Sequence, residues 1–204
     1  MTAGPKLTAF GGVGEIGGNK FLVEDKGTRI LLDFGKSFKA RSKFYDWNES
    51  PRVAKGVGDF LAMGLLPDLA EIYREDLLAL AGKTKKEDCL VQALFLSHAH
   101  SDHADYISFL REDIGLYMGE TTRRIVESLE SERNATLEFE ISCYKPRPSE
   151  RAASKIPRKI TTFRTGSPKI QIGSIEIEPI HVDHSIPGCY GFIITTSSGT
   201  RIFG

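Results

Sequence analysis

Three imidazoles and a carboxylate fall within the six-residue stretch His98-Ala99-His100-Ser101-Asp102-His103. Imidazole nitrogens and carboxylate oxygens are the donors that suit Zn²⁺ and similar divalent ions, Mn²⁺ among them. Alternate residues of a strand point to opposite faces, so a straight segment cannot wrap one ion by itself. A chain that turns from Ser97 onward can instead divide four ligands between two neighbouring metals. Two close ions can clamp a phosphoryl group and generate hydroxide at neutral pH. A lone histidine is more often structural than a ligand. Here the five histidines fall in only two clusters, the second being His181 and His184, which scatter would not produce.

These residues need elements to hold them. The apolar run Ala93-Leu94-Phe95-Leu96 reads as a buried strand that ends at the histidines. Upstream, Lys6 to Phe10, Lys20 to Glu24 and Thr28 to Asp33 read as short strands, with Lys26-Gly27 as the turn between the last two. Residues 36–88 form a long, largely helical insertion. Pro67 is expected to start a helix through Ala81, with Leu69, Ile72, Tyr73, Leu77 and Leu80 at helical spacing and Gly82 ending it. Lys36 to Lys55, with Phe38, Phe44, Tyr45 and Trp47, reads equally as a lid or as an irregular loop. Past the histidines, the pattern predicts a helix from Ala104 to Leu110 and a strand from Gly115 to Met118. A helix over Thr121 to Leu137 follows, then strands over Lys169–Ile172, Ser174–His181 and Cys189–Thr196. Strands, then helices, then strands again give an α/β chain in one piece.

Four stretches together resemble the metallo-β-lactamase superfamily, and within it the ribonuclease J and β-CASP nuclease branch. Phe10-Gly11-Gly12-Val13-Gly14-Glu15-Ile16-Gly17-Gly18-Asn19 is similar to that branch's opening loop, and Leu31-Leu32-Asp33-Phe34-Gly35 to the strand ending in the first-motif Asp. His98 to His103 resembles the second motif. Asp183-His184-Ser185-Ile186-Pro187-Gly188 resembles the segment that supplies the third-motif His. The resemblance implies an αββα sandwich, here apparently truncated in its second half. It also implies that His98, His100 and His184 ligate one metal, that Asp102 and His103 ligate the other, and that Asp102 is catalytic, positioning the attacking hydroxide. The family's bridging Asp would come just past Gly204, and the β-CASP insert and later His are absent, so residues 1–204 look like the N-terminal part of a longer protein. The second metal is expected to be weakly held in these residues alone, and their nuclease activity slight.

Other readings of the same residues are weaker. Gly12 to Gly17 matches Gly-x-Gly-x-x-Gly, but a dinucleotide site needs a helix next, and Gly18-Asn19 leads into another apolar strand. A loop bringing backbone N–H groups to a phosphate near the metals fits better. Asp33-Phe34-Gly35 spells a kinase motif with nothing kinase-like around it. A carboxylate ending a buried strand is costly unless paired, so Asp33 is expected to orient a ligand or the metal loop. His181 and His184 lie three apart, so on a strand they point oppositely; His184, at the turn, is expected to reach the metal. Asp183 would diverge from it.

Composition excludes several classes. The 204 residues suffice for one core, and no apolar run is long enough for a bilayer. Met1 to Lys6 lacks the apolar segment of a secretory signal. Cys89, Cys143 and Cys189 are odd in number and widely spaced, which argues for free thiols in a cytoplasmic protein. The net charge is zero, yet Lys145, Arg147, Arg151, Lys155, Arg158, Lys159, Arg164 and Lys169 crowd one proline-rich stretch opposed only by Glu150. That stretch is either ordinary surface or a patch that tracks a phosphate backbone. The functional expectation is a metal-dependent phosphodiester hydrolase acting on RNA. A small-molecule hydrolase of thioesters, lactones or phosphodiesters uses the same motif, and a metal-binding fragment without turnover is the third possibility.

Overall fold

All four side chains of Ala93–Leu96 are buried. A strand apolar on both sides belongs inside a sheet covered on both faces. The computed structural model, which describes residues 4–45, 49–84, 90–132, 136–148 and 154–203, puts it there. In chain order the first strands are β1 (Lys6–Gly11), β2 (Lys20–Asp25), β3 (Thr28–Leu32), β4 (Ala93–Leu96) and β5 (Gly115–Gly119). A two-residue pair, β6 (Cys143–Tyr144) and β7 (Ile156–Pro157), precedes β8 (Ile160–Phe163). The last four are β9 (Ile170–Ile172), β10 (Ile175–His181), β11 (Tyr190–Thr195) and β12 (Arg201–Phe203). One six-stranded sheet has the order β1-β2-β3-β4-β5-β8, antiparallel through β3 and parallel from there on. The other sheet is antiparallel, in the order β12-β11-β10-β9.

The pleat of the central strands separates two cores. Leu31, Leu94, Leu96, Leu116 and Met118 face the helical layer. Ile30, Leu32, Ala93 and Phe95 face the second sheet, where they meet Ile175, Ile177, Phe192 and Ile194. Helix, sheet and sheet are therefore stacked in that order, and among the described residues the second core is made of strand residues alone. The helices are α1 (Phe38–Arg41), α2 (Gly58–Ala62), α3 (Glu75–Leu80), α4 (Ser101–Ala104) and α5 (Glu120–Glu132). Residues 36–84 join the first core through Phe60, Leu65, Leu66, Tyr73 and Leu77 rather than standing off from it. No helix among the described residues is long and apolar enough to cross a membrane.

Two expected helices are broken. Pro67 to Ala81 holds a 3₁₀ turn at Ala70–Ile72, an extended Tyr73 and only then α3. The periodic side chains Ile72, Tyr73 and Leu77 are buried as their spacing requires, but the backbone takes other partners. Arg74 N donates to Phe109 O at 2.9 Å and Arg111 N to Ile72 O at 2.9 Å. These tertiary bonds replace the i→i−4 bonds that a continuous helix would make. Likewise, Ala104 to Leu110 is the end of α4 followed by a 3₁₀ turn at Asp105–Phe109. Of the helix expected over Thr121 to Leu137, α5 is described from Glu120 to Glu132, and Thr136 and Leu137 are not helical. Leu137 is still buried, beyond it.

The basic stretch is not one cationic surface. The Arg158 guanidinium is buried, donates to Ser108 O at 3.0 Å and Arg111 O at 3.2 Å, and lies 4.9 Å from the Tyr144 ring centroid. Burial, with Arg74 nearby, pulls its pKa down to about 10. Arg147 pairs with the buried Glu140 at 2.9 Å, and Lys169 pairs with Glu176 at 2.7 Å. Lys155, Lys159 and Arg164 remain exposed, while Glu150 and Arg151, like Trp47 and Cys89, lie outside the described residues. Cys143 and Cys189 are free thiols. Arg158→Ala should therefore cost stability, about 1–3 kcal/mol, because the buried Arg111 carbonyl loses its Arg158 donor while Ser108 O is left to Arg74 Nη1. Urea unfolding would measure it. A variant as stable as the parent would refute the structural assignment of Arg158.

Candidate metal centre

The segment after β4 is held by main-chain bonds from three separate parts of the chain. Asn19 N donates to Asp102 O at 3.0 Å, Phe34 N to His103 O at 2.8 Å, and Lys36 N to Ser101 O at 3.1 Å. From the second sheet, Tyr190 N donates to Ser97 O at 3.1 Å. The glycine-rich loop, the end of β3 and the start of β11 thus fix Ser97 to His103 in space. Close approach demands glycine twice. A Cβ on Gly17, whose φ is +82°, would lie 2.8 Å from Asp102 Cβ. One on Gly35 would lie 1.7 Å from Asp102 O.

Asp33 sits just past β3 with a positive φ of 53°, an uncommon conformation for a residue with a side chain. Its carboxylate accepts from Ser97 N at 2.8 Å and Ser97 Oγ at 2.9 Å, and lies 2.6 Å from His103 Nδ1. With its proton given to Asp33, Ser97 Oγ accepts from His98 Nδ1 at 2.9 Å. The remaining nitrogen, His98 Nε2, is then left with its lone pair 3.0 Å from His100 Nδ1. Burial, with His103, His100 and His184 around it, depresses the His98 pKa to about 3. Its ring is therefore neutral, and a neutral imidazole is the form that ligates metal. For His103, burial pulls downward, but the hydrogen bond and charge of Asp33, helped by Asp102, outweigh it and raise the pKa.

His184 arrives from the other sheet. It lies on the turn between β10 and β11, where Thr122 Oγ1 donates to Gly188 O at 2.7 Å and pins the turn to α5. Its ring centroid is 4.7 Å from that of His98 and 5.2 Å from that of His100. One nitrogen of each of His98, His100 and His184 lies within 4.8 Å of the others, the single such grouping among the described residues. Three imidazoles converging from two sheets, one of them buried and held neutral, are a donor set that fits a divalent ion with a position left open. Asp102 and His103 adjoin it, with Asp102 Oδ2 3.5 Å from His103 Nε2.

The chain is 30% identical to ribonuclease J of Mycolicibacterium smegmatis over 203 residues, and 26% identical to ribonuclease J of Helicobacter pylori over a stretch of equal length. These alignments take in 97% and 98% of the chain. A solved structure of a protein of unknown function from Enterococcus faecalis superposes with a TM-score of 0.73 at 27% identity, over 98% of this chain and 43% of the other. The metallo-β-lactamase fold protein YhfI of Bacillus subtilis superposes with a TM-score of 0.52 at 14% identity, over 98% and 61%. The chain has the metallo-β-lactamase fold and is related to ribonuclease J. No family model matches it. It spans about a quarter of the length of its ribonuclease J relatives, 27% and 22% of the two named.

Within this ribonuclease J-like chain, the two residues rivalling His184 fall outside the triad. His181 ends β10 and sets its ring edge-on against Tyr190, 5.6 Å between centroids. Asp183 is exposed and does not join the grouping. Three neighbours of the centre carried no assigned role in the sequence. Ser97 was legible only as the start of a turn, yet its hydroxyl touches Asp33, His98 and His103. Asn19 closes the glycine run and contacts His103 Nε2 at 3.0 Å. Lys20 is buried beneath that loop, where Nζ donates to Gly18 O at 3.0 Å and faces the Tyr106 ring at 5.4 Å. Burial, opposed by the charge of Glu15, lowers its pKa to about 8. Its place two residues before the buried Leu22, on the same face of β2, was the available signal.

Proposed function

We propose that the protein is a metal-dependent phosphodiester hydrolase acting on RNA. The convergence of His98, His100 and His184 carries the reading, and the ribonuclease J relationship along nearly the whole chain supports the substrate class. In this reading His98, His100 and His184 hold one divalent ion, zinc or manganese by donor type, and Asp102 and His103 hold a second. Such ions, when bound, polarise phosphoryl oxygens and make water a nucleophile at neutral pH.

The chain's own residues do the rest. Asp33 and Ser97 fix the imidazole rings of His98 and His103, so the donors need not reorganise. Asp102, half-buried beside the triad, is the catalytic carboxylate that orients the attacking water and accepts its proton. Gly17 of the glycine-rich loop lies against Asp102, and backbone N–H groups of that loop would serve a phosphate there. The exposed Lys155, Lys159 and Arg164 supply only a sparse, sequence-independent attraction.

Labelled RNA set against a panel of thioesters, lactones and small phosphodiesters tests this reading. The full-length gene product is expected to degrade the RNA only when divalent metal is present, and to leave the panel intact. Turnover of an ester with RNA untouched would put the small-molecule hydrolase in its place.

A further inference from the structure

Lys20 opens β2 on the face that carries Leu22 into the helix-side core, and it is only 2% exposed. A hydrocarbon side chain would fill that place without burying a charge. What the ammonium adds is a donor. Nζ gives a hydrogen bond to Gly18 O at 3.0 Å. It also meets two ring faces, Tyr106 at 5.4 Å and Phe34 at 6.0 Å from their centroids.

The peptide so held carries the constraint onward. Gly18 O and Asn19 N belong to one trans, planar unit, in which C=O and N–H point in opposite directions. With Gly18 O drawn to Lys20, the Asn19 N–H points away from it and donates to Asp102 O at 3.0 Å. Hydrogen bonds in line through one peptide polarise each other, and a charged donor at one end strengthens the bond at the other. Room to rotate is small. A Cβ on Gly11, which pairs with Lys20 across β1 and β2, would lie 2.3 Å from Gly18 O.

We propose that Lys20 is a positioning residue that, through the Gly18–Asn19 peptide, fixes where Asp102 stands. It touches no substrate itself, and its part in hydrolysis rests on the reading of Asp102 as the catalytic carboxylate. The hold is strongest while the amine carries its proton, because a charged donor bonds more tightly than a neutral one. Burial lowers the Lys20 pKa to about 8, so the charge is present at neutral pH and lost just above it. Two titratable neighbours bear on it. Glu15 of the glycine-rich loop favours the ammonium, and the Tyr106 phenol, pushed well up by burial and by Glu138, stays neutral. Phe34 brings no charge.

Lys20→Met removes the donor and keeps the apolar bulk. The variant should melt close to the parent, because an orphaned carbonyl and the relief of a buried charge oppose each other. NMR of the metal-free protein reads the link without activity. The Asn19 backbone amide of the parent should shift with pH around a midpoint of about 8, and that of Lys20→Met should not. In the full-length, metal-loaded gene product, Lys20→Met should lower kcat on RNA about tenfold, the factor that one charge-assisted hydrogen bond supplies. KM should change little, the triad should keep its ion, and the loss of kcat as Lys20 deprotonates should vanish from the variant's pH profile. A parent amide that does not titrate there, or one that titrates equally in the variant, would overturn the proposal. So would a folded Lys20→Met protein with unchanged kcat, or with only KM raised. If Lys20→Met does not fold, the parent's amide titration decides. Should the unaltered protein leave RNA intact, the functional reading falls, and the same titration still decides whether Lys20 holds Asp102.

Discussion

His184→Ala is expected to strip the protein of its tightly held divalent ion while leaving the fold intact. His184 contributes one of three converging nitrogens and sits exposed on a turn, so its loss removes a ligand without opening a core. Even residues that only orient a ligand change metal affinity by about 10–100-fold, and loss of a ligand itself should exceed that. Metal analysis after dialysis and titration calorimetry would read the change, with thermal melting of the metal-free proteins as the control for folding. His181→Ala should keep full metal, since that ring packs on Tyr190 instead. Full metal retention by His184→Ala would sink the triad assignment.

Gly35→Ala should damage fold and site together. The added Cβ would meet Asp102 O at 1.7 Å, Asp102 C at 1.9 Å and His103 N at 2.4 Å, all backbone atoms. No side chain can swing away to relieve those contacts. The strand end must part from the metal loop, breaking the bonds from Phe34 N to His103 O and from Lys36 N to Ser101 O. A cost of at least about 3 kcal/mol is expected, at or above the upper end of ordinary overpacking. The variant should also lose metal affinity, because Asp102 and His103 move with the loop. Gly58→Ala is the matched control, as its Cβ would make ordinary contact, 3.4 Å at the nearest. A Gly35→Ala protein that melts with the parent and keeps its metal would show that the loop is not held as described.

The two variants probe features that differ in how far they could be read from the chain. Donor types and their order along the chain are local properties. Thus His98, His100, Asp102, His103 and His184 stood out, and the apolar run of β4 placed the first four at a strand end. Asp33 could be expected to pair, because an ionised group ending a buried strand needs a partner. Which partner it takes was hidden, since Ser97 and His103 are 64 and 70 residues away. The spacing of Leu69 to Leu80 marks buried positions at Ile72, Tyr73 and Leu77, with Leu69 and Leu80 half-buried, but periodicity reports a face, not the backbone's hydrogen bonds. Phe109 and Arg111 captured the groups that a helix from Pro67 to Ala81 would have used among themselves.

Charge was the least legible property. Eight cations in one stretch look alike in one dimension, and only packing separated Arg158, buried on carbonyls and Tyr144, from Lys159 in solvent. By itself, then, the sequence determined the α/β pattern and the identity of the donors, because residue type and short-range period act through neighbours on the chain. The tertiary structure set the expected His184, and not His181, against His98 and His100, and it alone decided that Asn19 contacts His103 and that Arg158 is interior. Each of those outcomes depends on two sheets and a loop meeting across long separations in sequence, where burial and hydrogen-bond partners are settled only once the layers have packed.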